Sequence, residues 1–133
     1  VFAVNTIGPA MLIKHFAPLL STRGKSVLAT LSARVGSIGD NHLGGWYAYR
    51  ASKAALNQFV RTAAIEIARK HPQAVCLALH PGTVETALSQ QHARGRFTHA
   101  PRQAARSLLR AIDNTSPDQS GSFLAYDGSV IPW

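Results

Sequence analysis

Residues Ser26–Leu31 read SVLATL, residues 46–70 read WYAYRASKAALNQFVRTAAIEIARK, and residues Ala74–Leu79 read AVCLAL. The two outer runs are short and apolar. Turn signals bound them: Arg23-Gly24-Lys25 before the first, His71-Pro72 before the second and His80-Pro81-Gly82 after it. Such runs predict strands buried on both faces. Between them Ala51, Ala54, Ala55, Phe59, Ala63, Ala64, Ile67 and Ala68 recur at spacings of three and four, which predicts a long helix. Small residues dominate its apolar positions, so another helix can approach closely. A whole helix between two strands implies a crossover and therefore a parallel pair.

The alternation continues outward. Val4, Ile7, Met11, Leu12, Phe16, Leu19 and Leu20 predict a helix over residues 2–20, with Gly8-Pro9 either bending it or marking its start. Residues 33–46, with Asp40-Asn41 and Gly44-Gly45, read as a loop. Residues 87–99 are polar and irregular and read as a substrate lid. Pro101, suited to a first helical turn, opens a helix reaching Asp113. Residues 122–126 (SFLAY) predict a third strand, closed by Asp127-Gly128. Helix and strand therefore alternate three times, the pattern of an α/β parallel sheet with helices on its faces. Three strands make a thin sheet with two edges, and Val1 opens inside a helical pattern with no cap before it. The expectation is that further strands belong upstream.

The chain has 133 residues, 46% hydrophobic and 15% charged, which suits one ordinary domain and excludes a disordered tail. The single cysteine, Cys76, excludes an intramolecular disulfide framework and a cysteine zinc site, and reads as inert core. No apolar run approaches the ~18 residues of a membrane span, and no secretory signal pattern opens the sequence. A soluble, cytoplasmic protein with no membrane partner is expected. Fourteen Lys and Arg against six Asp and Glu give a net charge of +8. The basic residues form no run and have few aromatics among them, so no nucleic-acid partner is expected. His15, His42, His71, His92 and His99 show no metal-ligand spacing, and no metal is expected. His80 reads as packing or hydrogen-bonding at a strand end. Arg102, Arg106 and Arg110 read as a solvated helix face.

In open parallel sheets, ligands bind beyond the carboxyl ends of the strands. The first such end gives Ser32 and the loop leading to Tyr49-Arg50-Ala51-Ser52-Lys53. The second gives His80-Pro81-Gly82-Thr83-Val84-Glu85-Thr86. Tyr49 and Lys53 stand four residues apart, on one helix face. A cation beside a phenol favours the phenolate and lowers its pKa, and such a pair can pass a proton to or from a substrate oxygen. The spacing alone also occurs in solvated pairs.

The combination Y-x-A-S-K at Tyr49–Lys53, with Ser32 upstream and P-G-T-V-E-T at Pro81–Thr86 downstream, resembles the short-chain dehydrogenase/reductase family. Asn5, in Val4-Asn5-Thr6-Ile7-Gly8, is similar to the asparagine of that family's V-N-x-x-G helix. Tyr47 does not fit the tyrosine position, because Ala51 and not a lysine lies four residues on. Gly36-Ser37-Ile38, the run Gly45–Asn57 and the ending Tyr126–Trp133 resemble the carbonyl-reductase-like branch that includes Sniffer and C-factor proteins.

The resemblance implies a Rossmann-like doubly wound sheet, incomplete here. Residues 1–133 would be the C-terminal portion of one domain whose N-terminal nucleotide-binding half, with its glycine-rich phosphate turn, is missing. It implies an NAD(P)-dependent oxidoreductase interconverting a carbonyl and an alcohol of a small molecule, with the choice of NAD or NADP open. By the same resemblance Tyr49 is the acid/base, and Lys53 tunes it and holds the nicotinamide ribose. Ser32 bonds the substrate oxygen, Asn5 holds a water leading to Lys53, and Pro81, Gly82, Val84 and Thr86 border the nicotinamide. One departure stands out. The family usually carries two serines after this strand, the second catalytic, whereas this chain reads Leu31-Ser32-Ala33. Ser32 is assigned the role, with Ser37 the alternative. The resemblance also implies a homodimer or homotetramer built on the helices near 2–20 and 47–70. The rival reading is a non-catalytic protein, or a truncated one, that uses the fold for association or signalling.

Overall fold

A computed structural model describes residues 1–86, 89, 97 and 99–133. Three parallel strands, β1 (Ser26–Leu31), β2 (Ala74–His80) and β3 (Ser122–Ala125), form one sheet in the order β1-β2-β3. Ser26 pairs with Ala74 and Leu31 with Leu79, so β1 and β2 end together, and His80 is in register with Ala125. Helix α2 (Tyr47–Ala68) connects the first pair, and α3 (Pro101–Asp113) precedes β3. Most of the expected lid, residues 87–88, 90–96 and 98, lies outside the described residues.

The composition of β2 decides which helix packs where. Its small residues Ala74, Cys76 and Ala78 face α2, in a core with Leu56, Val60, Ala64, Ile67, Phe123 and Ile131. Its larger residues Val75, Leu77 and Leu79 face the other way, against Leu108 and Ile112 of α3. Small side chains let α2 approach, and each fully buried Leu, Val or Phe is worth about 1.5–3 kcal/mol. β2 is thus covered on both sides, as its apolar run predicts, whereas β1, at the sheet edge, is only half-buried, with Ala29 and Leu31 exposed, so the expectation of burial on both faces fails there.

The expected helix over 2–20 is a composite. A wide π turn, Ala3–Ile7, passes into α1 (Gly8–Phe16) and then a 3-10 turn, Ala17–Leu19. Pro9 is the physical cause. It has no N–H to return to Asn5, and its ring would strike that carbonyl in a regular helix. The chain widens instead, with the Gly8 N–H reaching back to Ala3 O. Pro9 therefore marks the start of α1. The loop 33–46 also contains a 3-10 turn, Arg34–Gly36. Tyr126 falls just outside β3.

The start of α2 is unusual. Gly44, Gly45 and Trp46 are successively left-handed, with φ of 64°, 70° and 54°. For tryptophan that conformation costs on the order of 1–2 kcal/mol. Arg50 offsets it by fastening the loop: its Nε donates to Gly45 O (2.9 Å), and its two terminal nitrogens donate to Gly44 O (3.1 Å) and Val35 O (3.2 Å).

Candidate active site

The first two turns of α2 lie beside the carboxyl end of β1, and the candidate residues gather there. Tyr49 is half-buried, with the Trp46 ring edge-on at 6.2 Å between centroids. Lys53, one turn on, is buried and donates from Nζ to Leu31 O at 2.9 Å. Ser32 follows β1 directly. Its N–H donates to Leu79 O (2.7 Å), and its buried Oγ donates to Asn57 Oδ1 (2.6 Å). Asn57 stands one turn beyond Lys53 and donates in turn to Gly36 O (3.4 Å). Gly36 has to be glycine here, since a Cβ would sit 2.6 Å from the Lys53 Cβ.

Ser52 ties the opening turn of the chain to this helix. Its Oγ donates to Tyr49 O (2.8 Å) and accepts from Asn5 Nδ2 (3.2 Å), while its carbonyl accepts from Thr6 Oγ (2.8 Å). Asn5 is thereby placed one residue from Lys53, inside the π turn that Pro9 enforces. The loop after β2 leaves the same end of the sheet. Pro81, Gly82 and Val84 are half-buried and Thr86 is exposed. Gly82 has φ of 81°, Val84 bridges His99, and the Thr86 N–H donates to Ser89 Oγ at 2.9 Å.

The electrostatics correct one expectation. The phenol of Tyr49 was expected to be pulled down by Lys53. In the structure burial instead pushes it above its ordinary value of 10.0. Lys53 is itself lowered by burial, and its ammonium is engaged at the end of β1. His80 packs with its Nδ1 buried and unpartnered, and burial, then the charge of Arg34, bring its pKa down to about 4. Burial raises the Cys76 thiol to about 11, which leaves it unreactive at neutral pH. Among the described residues, no group of three or more His, Cys, Asp or Glu is placed to hold a metal ion. Nor is any helix there long and apolar enough to cross a membrane.

Three participants escaped sequence reasoning: Arg50, Ser52 and Asn57. Asn57 left a trace, being a polar residue at every-fourth spacing after Tyr49 and Lys53 on a face otherwise apolar. Ser37 is buried but turned away from this cluster, donating to Pro132 O (2.5 Å) and accepting from the Asp40 N–H (3.0 Å).

Known proteins share this sequence and fold. Residues 1–130 match the family model described as enoyl-(acyl carrier protein) reductase. A 1-hydroxy-2-glutathionyl-2-methyl-3-butene dehydrogenase of Rhodococcus sp. (strain AD45) is 38% identical over 130 residues, an alignment covering 98% of this chain and 56% of that protein. C-signal of Myxococcus xanthus is 36% identical over 133 residues, covering 99% of this chain and 76% of its own length. Among solved structures, the carbonyl reductase Sniffer of D. melanogaster superposes with a TM-score of 0.88 at 28% identity, over 99% of this chain and 55% of Sniffer. An NADPH-bound carbonyl reductase from chicken fatty liver gives 0.80 at 32% identity, over 100% of this chain and 56% of that one. Apart from C-signal, these relatives are about twice as long as the chain. Sequence and fold agree on one assignment: the chain belongs to the short-chain dehydrogenase/reductase family, in its carbonyl-reductase-like branch.

Proposed function

We propose that these residues form the proton-transfer half of an NAD(P)-dependent oxidoreductase that interconverts a small-molecule carbonyl and an alcohol. In this reading residues 1–133 are the C-terminal portion of a single domain, working in the cytoplasm as a homodimer or homotetramer. The observation that carries it is Tyr49 one turn before a buried Lys53 at the open end of a parallel sheet. The donor chemistry fits one end of the cofactor. An ammonium has three protons, and Leu31 O takes one of those on Lys53, leaving others for ribose hydroxyls. Pro81, Gly82 and Val84 supply a half-buried wall and backbone groups for a nicotinamide, with Thr86 exposed beyond them. The pyrophosphate would need a glycine-rich turn that these residues do not contain. When bound, NADH or NADPH supplies the hydride that reaches the carbonyl carbon.

The protein's own part is to move the proton. As the carbonyl oxygen gains charge, Tyr49 donates its phenolic proton to it, and the alcohol leaves with both hydrogens. Burial holds the phenol above its ordinary value, in the protonated form that this step uses. Lys53 anchors the ribose. Asn5 would hold water through which Tyr49 is reprotonated. Ser32 is assigned the second hydrogen bond to the substrate oxygen, for which its proton has to leave Asn57.

Substitution in the complete enzyme tests this. Tyr49→Phe removes only the hydroxyl and is expected to lower turnover ~10²–10⁴-fold while dinucleotide binding persists. Turnover like that of the wild type would reject the assignment. Ser32→Ala is expected to lower turnover more than Ser37→Ala. The opposite order would move the serine role to Ser37.

C-signal supports a second reading, since the chain covers 76% of that shorter relative. In that reading the fold serves association or signalling without turnover. Titration of the complete protein with NADH and NADPH separates the two, because only the enzyme has to bind one of them.

A further inference from the structure

We infer that the segment Ser129–Trp133 is a strap that holds the β1–α2 loop in register with the first turns of α2. Trp133 and Ser37 are then positioning residues for Tyr49 and Lys53. The inference rests on the proposed role of those two residues.

The strap begins at a turn. Gly128 adopts φ of 84°, and Asp127 Oδ1 accepts from both the N–H (3.0 Å) and the hydroxyl (2.6 Å) of Ser129. The chain then runs antiparallel to β3. The Ala125 N–H donates to Ser129 O (2.9 Å), and the Ile131 N–H donates to Phe123 O (2.8 Å). Ile131 is 2% exposed, within the α2-side core. Beyond it the strap leaves β3 and takes hold of the loop. Pro132 O accepts the Ser37 hydroxyl (2.5 Å), and Trp133 O accepts the Gly39 N–H (2.9 Å). The Trp133 ring stacks on buried Phe123, with centroids 5.7 Å apart and planes 18° apart. Contact is close, since a Cβ on Gly39 would meet Trp133 O at 3.2 Å and Pro132 Cβ at 3.4 Å.

The opposite edge of that loop is bound to the site. Val35 O accepts from Arg50, Gly36 O accepts from Asn57, and Gly36 lies against the Lys53 backbone and Cβ. Residues 35–39 are thus held between α2 on one side and the strap on the other. Ser37, 2% exposed, is where the two sets of contacts meet. Releasing the strap would leave the far edge of the loop unsupported, so that the Lys53–Leu31 and Ser32–Asn57 bonds would have to set where the pair sits relative to the end of β1 without it. Displacements of about an ångström at a reacting centre can cost up to about 10²-fold in rate.

Steady-state kinetics and amide hydrogen exchange on the complete enzyme test the strap, with Tyr49→Phe as the catalytic reference and Ile67→Val as a destabilised control away from the strap. Trp133→Ala is expected to lower kcat about tenfold with KM for the carbonyl within about twofold. Exchange should quicken about tenfold or more at Gly39 and Asp40 and spread to residues 50–53. Trp133→Phe, which keeps a ring for Phe123, should restore both, and Ser37→Ala should reproduce a weaker version. An unchanged kcat with quickened exchange confined to residues 37–40 would overturn the inference, because the strap would then be only structural. Unchanged exchange would overturn it too. Reduction that is absent or independent of Tyr49 would instead reject the proposed activity, leaving the spread of exchange into residues 50–53 to decide the strap.

Discussion

Helices α1 and α2 cover the same side of the sheet and are used in opposite ways. From α2, Leu56, Val60, Ala64 and Ile67 enter the core, together with the polar Ser52, Lys53 and Asn57. Each of those three polar side chains has a hydrogen-bond partner. The α1 region buries only Thr6 and Ile13, yet Val4, Ile7, Leu12, Phe16 and Leu19 are 55–78% exposed. Burying a lysine is expensive unless it is paired, so a fold that does so holds the charge where it is used. Exposing a row of large apolar residues is also unusual, and contiguous patches of that kind mark surfaces meant to be covered. One helix thus carries the proposed chemistry, and the other an exposed apolar surface.

The largest effect expected from this contrast is on stability. Leu56 is 0% exposed in the α2 core, and Leu12 on α1 is 58% exposed. Leu56→Ala should destabilise the protein by about 2–5 kcal/mol, by lost transfer energy and the cavity left behind. Leu12→Ala should change it by no more than about 0.5 kcal/mol. Denaturant midpoints at equal slope measure both. Equal costs at the two sites would break the contrast, by showing that α1 is as fully covered as α2.

Much of this architecture was legible in the sequence, and the reason is local. Ser26–Leu31 and Pro101–Asp113 begin and end as read, because turn residues and a first-turn proline punctuate them. The order of elements followed from strands separated by whole helices. Local pattern could not show the π turn, which comes from a donor missing at Pro9, nor left-handed Trp46, whose strain Arg50 offsets from the next turn of chain. The site was half legible. Tyr49 and Lys53 announce each other by spacing, whereas Ser32 meets Asn57 across 25 positions and Ser37 meets Pro132 across 95. No periodicity spans such distances. The direction of the Tyr49 shift was also out of reach, because desolvation depends on what packs over the ring.

A smaller effect depends on pH. His80 ends the buried strand with its pKa down to about 4 from an ordinary 6.5. The folded state holds this ring neutral, while the unfolded chain takes up a proton below about 6.5. Stability from this residue is therefore complete above 6.5 and falls as pH drops toward 4, by at most about 3 kcal/mol. His80→Leu should flatten that part of the pH–stability curve. An unaltered slope between pH 6.5 and 4 would show that the ring is protonated in the fold.

The smallest effect on folding, and the sharpest test of α1 as a contact surface, comes from placing charges on the exposed apolar positions. On α2, Phe59 and Ile65 remain 48% and 51% exposed, opposite a helix face already filled by the core. Together with Ile7, Met11, Leu12 and Phe16 they give each copy two helices apolar beyond what the sheet requires. Two copies meeting through such helices could bury an interface of the obligate class, above roughly 2,000 Å² in total. Alanines at 51, 54, 55, 63 and 68 would permit the close approach, while Ala64 is taken up by the core. The alternative is that the alanines serve helix propensity on a wet surface. A Leu12→Glu, Phe59→Glu double variant, whose like charges cannot pair with each other, distinguishes these outcomes. Neither residue is in the core, so the fold should survive within about 1 kcal/mol. In a self-associating protein, two unpaired charges buried at the contact should cost several kcal/mol and split the assembly. Light scattering at micromolar concentration should therefore give a dimer or tetramer mass for the complete wild-type protein and a monomer mass for the variant. A wild-type monomer with intact activity would show that the apolar surplus on α1 and α2 is not an interface between copies.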